Sequence, residues 1–165
     1  MAFEGLKPVA SFLLFLNFCM YFILAAIAGW AINVAIDRGF NLGSNLAVPA
    51  QFSPIFFPIG NGATGFFVIF ALLAGVVGAA SAIAGANHFR SWTSDSLPAA
   101  ATSALIAWGL TLVALGLAIK EIVLHGRNAK LRTMEAFVII LSVTQLLYIL
   151  VIHAAGRGVP TRTRV

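Results

Sequence analysis

Charged side chains divide this chain into long apolar blocks. Residues 9–32, 63–86, 97–119 and 136–155 contain no Asp, Glu, Lys or Arg, and they run for 24, 24, 23 and 20 residues. About 20 helical residues cross a hydrocarbon core of about 30 Å, so each block predicts a membrane-spanning helix. Inside a bilayer the backbone must satisfy its own hydrogen bonds, which leaves helices or closed barrels. A barrel would show alternating strands of about ten residues, and no such alternation runs through these blocks. The pattern predicts an all-α membrane protein, a four-transmembrane-helix bundle. It forms a single integral membrane domain over residues 1–165, with a basic tail at 156–165.

Composition agrees. Of 165 residues, 61% are hydrophobic and 9% are charged, with a mean hydropathy of +1.00. A soluble domain carries about 45–50% apolar and about 25% charged residues, so a water-soluble class is excluded. An A-x-A pattern at Ala26-Ile27-Ala28 resembles a signal-peptide cleavage site. The apolar run before it is longer than a signal peptide needs, and Glu4 stands in its leader, so the first block is expected to be a retained helix. The net charge of +5 points to lipid headgroups rather than nucleic acid. Lys7, Arg90, Arg157, Arg162 and Arg164 fall on one side of a four-span chain, and Arg38, Lys120, Arg127, Lys130 and Arg132 on the other. Basic residues therefore do not set sidedness. Placing the long first loop outside, where it exposes only Asp37 and Arg38, puts both termini in the cytoplasm.

That first loop, residues 33–62, ends within PAQFSPIFFPIGNGATGFF, which runs from Pro49 to Phe67. Pro49, Pro54 and Pro58 break any helix there, and Phe52, Phe56 and Phe57 would form an unfavourable patch in water. The segment reads as a long Pro/Phe-rich first loop capping one end of the bundle, over a pocket mouth or as a plain lid. Asn61 or Thr64 starts the second span. That span is rich in small residues: Ala71-Gly75-Ala79 and Ala74-Gly78-Ala82 form overlapping rows, continued by Gly85. Small residues let membrane helices approach closely. Gly75, Gly78, Ala82 and Gly85 are thus the helix-packing candidates, within one bundle or in a homo-oligomer through the second span. Asp95 or Ser96 is expected to cap the third span, with Pro98 in its first turn. Thr133 is expected to cap the fourth, with Glu135 at the positive end of its dipole.

No catalytic constellation is visible, and a non-enzyme without cofactor or metal is expected. His88, His125 and His153 each stand near a different span end, without carboxylates at ligand spacing, and read as interfacial. Cys19 is the single cysteine, so it forms no internal disulfide and reads as a packing residue. The polar residues inside the spans carry more information. Asn17, Ser81, Thr102, Ser103, Thr111, Ser142, Thr144 and Gln145 lie there, and Asn17 and Gln145 have the largest uncharged groups. Those two should face the interior, bonded between helices or lining a solute path. No charge stands near a span centre, which argues against a proton relay. Trp92 reads as an interface anchor, and Arg90 as a contact for a headgroup or a carboxylate. Lys120 and Glu121 are placed to clasp Glu135 and Arg132.

Four stretches, GLKPVASFLLFLNFCMYFI, FSPIFFPIGNGATGFFVIFALLAGVVG, NHFRSWTSDSLPAAA and RNAKLRTMEAFVIILSVTQLLYI, resemble the plant ABA-induced wheat plasma membrane polypeptide family. The resemblance covers the chain from Gly5 to His153. It implies a small four-span plasma-membrane protein associated with abscisic acid, seed maturation, drought and cold. A role in moving abscisic acid into cells is proposed for that family. Two readings follow. A facilitator of abscisic acid influx would need an apolar path and a cation or donor for the carboxylate, with Arg90, Lys120, Asn17 and Gln145 as ligand-binding candidates. The alternative is a non-transporting structural or adaptor protein that packs in the lipid bilayer, organises lipids or partners and protects the membrane under drought, cold or seed desiccation.

Overall fold

The computed structural model describes residues 6–43, 60–91, 96–126 and 128–156. They form four helices: α1 (Leu6–Gly43), α2 (Thr64–Ser91), α3 (Leu97–Leu124) and α4 (Ala129–Gly156). Each is long and apolar enough to cross a membrane, as the charge-free blocks predict. The Pro/Phe-rich part of the first loop (Pro49, Phe52, Pro54, Phe56, Phe57 and Pro58), together with Trp92 and Asp95, lies outside the described residues.

The helices outrun the blocks, because charges near a helix end do not stop it. α2 continues through Arg90, α3 through Lys120 and Glu121, and α4 takes in Lys130, Arg132 and Glu135. α1 takes residues 33–43 from the expected loop, where no proline interrupts hydrogen bonding. Its 38 residues span about 57 Å at 1.5 Å per residue, well beyond the hydrocarbon core. The cap of α4 also moves. Asn128 Oδ1 accepts the Leu131 N–H at 2.9 Å, while Thr133 lies inside the helix and donates back to the Ala129 carbonyl at 3.1 Å. Glu135 is accordingly past the first turn, and it is buried. Ser96 precedes α3 and Pro98 occupies its first turn, but the Ser96 hydroxyl makes no capping bond.

Each helix packs on two others: α1 on α2 and α4, and α3 on α2 and α4. Cross-helix contacts fix the directions. Gly75 faces Tyr21 and Ala25 while Gly85 faces Leu14, so α1 and α2 are antiparallel. Asn61 and Thr64 meet Glu121 while His88 meets Ser96, so α2 and α3 are antiparallel. The result is an up-down-up-down bundle. Its buried stripe on α3 is Ala100, Ala104, Ala107, Thr111, Ala114, Ala118 and Glu121, with steps of four and three. The same alternation holds on α1 from Ala10 through Leu14, Asn17, Tyr21, Leu24 and Ala28 to Ala31. Positions repeating every 3.5 residues keep one seam turned toward the neighbouring helix.

The size pattern is reversed relative to a soluble bundle. α2 and α3 bury glycine, alanine, serine and threonine for most of their length, and α1 and α4 insert Tyr21, Leu24, Met134, Leu141 and Tyr148 against them. Large apolar side chains such as Phe12, Phe15, Phe22, Val123 and Leu150 point outward. Lipid is as apolar as leucine, so association rests on close approach rather than exclusion from solvent. Outward phenylalanines then cost nothing.

Candidate functional site

The middle of the bundle is polar. Asn17 (α1) and Gln145 (α4) are each at most 2% exposed. Asn17 Nδ2 donates to Gln145 Oε1 at 2.9 Å, and Gln145 Nε2 donates to the Ala104 carbonyl of α3 at 3.3 Å. One turn along, Tyr21 Oη and Thr111 Oγ1 lie 2.9 Å apart across the diagonal from α1 to α3, and Thr111 donates to the Ala107 carbonyl. These two layers link α1, α3 and α4 inside the bundle. Among the described residues, Asn17 Oδ1 and the Tyr148 hydroxyl have no hydrogen-bond partner although both are buried. The site therefore has an acceptor and a hydroxyl to spare.

α2 closes the layers from the fourth side. A Cβ on Gly78 would collide with the ring of Tyr21, and one on Gly85 would collide with the Tyr148 hydroxyl and come within 2.8 Å of Leu14 Cδ1. One on Gly75 would come within 2.9 Å of the Ala25 backbone nitrogen. Gly75, Gly78, Ala82 and Gly85 are thus all buried inside this bundle.

The two ends are latched differently. At the end where α2 begins, Asn61 serves two helices. Its Oδ1 accepts the Ala63 N–H at 2.9 Å, and its Nδ2 reaches the Glu121 and His125 carbonyls at 3.2 and 3.1 Å. One side chain thereby occupies an N-terminal donor of α2 and C-terminal acceptors of α3, groups that lack intrahelical partners. Beside it, the Thr64 hydroxyl donates to Glu121 Oε1 at 3.0 Å. Glu121 thereby ties α3 to α2, and Lys120 and Arg132 are exposed. Thr64→Val keeps the shape and removes both the donor to Glu121 and the acceptor of the Asn61 N–H. It is expected to destabilise the bundle by about 1–3 kcal/mol, the range for leaving a buried polar group unsatisfied. Thr133→Val, at an exposed position, should change little; thermal unfolding followed by circular dichroism in detergent micelles would separate them. At the other end His88 Nδ1 lies 2.6 Å from Ser96 Oγ, joining α2 to the start of α3. His88 stands near a helix end as expected but is turned inward, whereas His125 and His153 are exposed.

Of the expected ligand residues, only Asn17 and Gln145 come together. Arg90 and Lys120 are exposed near the last turns of α2 and α3, at opposite ends of the bundle. Ser81, Ser103, Ser142 and Thr144 bond back to carbonyls of their own helices, which is how isolated hydroxyls are accommodated in a helix. Tyr21 and Tyr148 were not anticipated as part of the site. The available signal is their spacing: Tyr21 follows Asn17 by four, and Tyr148 follows Gln145 by three, so each shares a helix face with an amide.

Residues 15–155 match the AWPM-19-like family. The chain belongs to that family. It is also 49% identical over 155 residues to Membrane protein PM19L of Oryza sativa subsp. japonica, covering 88% of this chain and 82% of the rice protein. No solved structure matches it. The family match runs through the amide pair, the small-residue face of α2 and both end latches.

Proposed function

We propose that this AWPM-19-like protein facilitates abscisic acid influx across the plant plasma membrane in the response to dehydration, with both termini in the cytoplasm. The observation that carries the reading is the Asn17–Gln145 pair, a buried amide step inside the bundle with the Asn17 acceptor unused. Buried polar groups in a membrane bundle are costly and mark solute paths or inter-helix bonds. A small weak acid that is mostly apolar suits a route with few, separated polar stations. Arg90 and Lys120 would stand at its two mouths and attract the carboxylate.

A second reading has its own support. The ring of Tyr21 lies against Gly78, and the Tyr148 hydroxyl lies against Gly85. So tight a seam also suits a non-transporting protein that stabilises the membrane or its partners during drought, cold or seed desiccation.

Uptake of radiolabelled abscisic acid into liposomes containing the purified protein tests both readings, with protein-free liposomes at the same pH as the control. The neutral acid crosses lipid unaided, so a saturable excess competed by unlabelled acid is the expected result. Arg90→Ala and Lys120→Ala should each raise the half-saturating concentration by up to about fivefold, the scale of one cation acting on an anion near a membrane surface. No excess from folded protein would leave the structural reading; an excess unaffected by either change would remove the two cations from the route.

A further inference from the structure

The outward seam between α1 and α4 is not flat. Phe22, Ile23, Ala26, Ile27, Trp30 and Lys130 line a groove of about 350 Å³. The first five, on α1, are apolar or aromatic, and Phe22 and Trp30 are both exposed. From Phe22 to Trp30 the groove follows eight residues of helix, about 12 Å. Its only cation among the described residues is Lys130, whose Nζ sits 3.3 Å from the centroid of the Trp30 ring. Lys130 is the second residue of α4, so the positive end of that helix dipole reinforces its charge. Lys120 and Arg132 are exposed near the same end of the bundle.

A groove that faces hydrocarbon, with an indole and an ammonium at one end, has the layout of a lipid: an apolar chain below and a charged group at the interface. Tryptophan marks that interface level. We propose that the α1–α4 groove holds one acyl chain of an anionic phospholipid, with its phosphate on Lys130. Charge selects this occupant. A choline headgroup would bring a second cation toward Lys130, whereas a headgroup with net negative charge leaves it paired. A second copy docking through the same groove would bring two Lys130 side chains, in chains of net charge +5, toward each other. The site is independent of the proposed transport role, since it lies outside the bundle and shares no residue with the amide pair.

The test uses the full chain in detergent micelles, with Trp92→Phe and Trp108→Phe leaving Trp30 as the only tryptophan. Phosphatidylglycerol with brominated acyl chains is titrated in, and quenching of Trp30 fluorescence is compared with that from brominated phosphatidylcholine. The expected result is quenching at about fivefold lower concentration of the anionic lipid. Lys130→Gln should abolish that preference, and Arg132→Gln should retain it. Equal quenching by the two lipids, a preference that survives Lys130→Gln, or relief of quenching by soluble abscisic acid would each overturn the proposal. If the tryptophan replacements impair folding, the thermal midpoint of the otherwise unaltered chain serves. It should rise more with phosphatidylglycerol than with phosphatidylcholine, and Lys130→Gln should remove the difference; no difference in the unaltered chain would overturn the proposal equally.

Discussion

Gly78→Leu is expected to destabilise the bundle by about 3 kcal/mol or more, at the upper end of the cost of overpacking a filled core. The first added carbon already collides with the Tyr21 ring. That ring cannot swing away freely, because Tyr21 is fully buried and its hydroxyl is fixed 2.9 Å from Thr111 on the far side. Relief requires α1 and α2 to move apart, which also loosens the approach of Gly75 to the Ala25 backbone. Gly116→Leu is the matched control. Gly116 lies on α3 and is exposed, with nothing within 4 Å of an added Cβ. Leucine there gains helix propensity, worth up to about 1 kcal/mol over glycine. The two variants should therefore part in opposite directions in thermal unfolding monitored by circular dichroism in detergent. Adding Tyr21→Ala should recover part of the Gly78→Leu loss, a coupling of about 1–3 kcal/mol for residues in direct contact. Equal midpoints for the two leucine variants would mean that the α1–α2 seam is not set by close approach.

The spans were legible because lipid imposes a coarse requirement, about 20 apolar helical residues, which four blocks meet. The ends were less legible. A block ends at the first charge, but a helix ends where backbone bonding ends, and Arg90, Lys120 and Lys130 sit where their charges can reach the interface. Thr133 and Asn128 are both capping types; the helix starts at the earlier one, where Asn128 Oδ1 takes the Leu131 N–H, so Lys130 and Arg132 fall in its first turn. The small residues of α2 were legible as packing residues, but not the face they share. Two overlapping rows were visible, and the buried face takes members of both, Gly75 and Gly78 among them, because the seam repeats every 3.5 residues rather than every four.

The site was half legible for a related reason. Large amides are expensive in lipid, so Asn17 and Gln145 had to face inward. Their partnership across 128 residues of chain depends on the antiparallel register of α1 and α4. The Asn61 latch was less visible still, since its acceptors are backbone carbonyls, which any residue supplies. Arg90 and Lys120 were legible as residues of opposite sides, because four spans fix which loops share a face, and the helix ends that carry them lie at opposite ends of the bundle.

Asn17→Leu decides what the amide pair is for. The change leaves Gln145 Oε1 without the donor that reaches it at 2.9 Å, in a setting where Gln145 still bonds the Ala104 carbonyl. As a purely structural bond this should cost about 0.6 kcal/mol and at most about 1.7, the range for inter-helix polar contacts in membrane proteins. Asn17→Leu combined with Gln145→Met should then cost less than the sum of the single changes, because removing both partners leaves no buried group unsatisfied. If the pair instead forms a polar station on an influx route, the double variant keeps a stable bundle yet loses the step at which a carboxylate or hydroxyl is met. Saturable abscisic acid uptake should fall at least about tenfold, equivalent to about 1.4 kcal/mol at the barrier, with the thermal midpoint close to that of the unaltered protein. Stability and uptake measured on the same purified double variant therefore answer together. Uptake that collapses while the fold persists assigns Asn17 and Gln145 to the route. Undiminished uptake in a stable double variant makes them a bolt between α1 and α4, and moves any route to another seam.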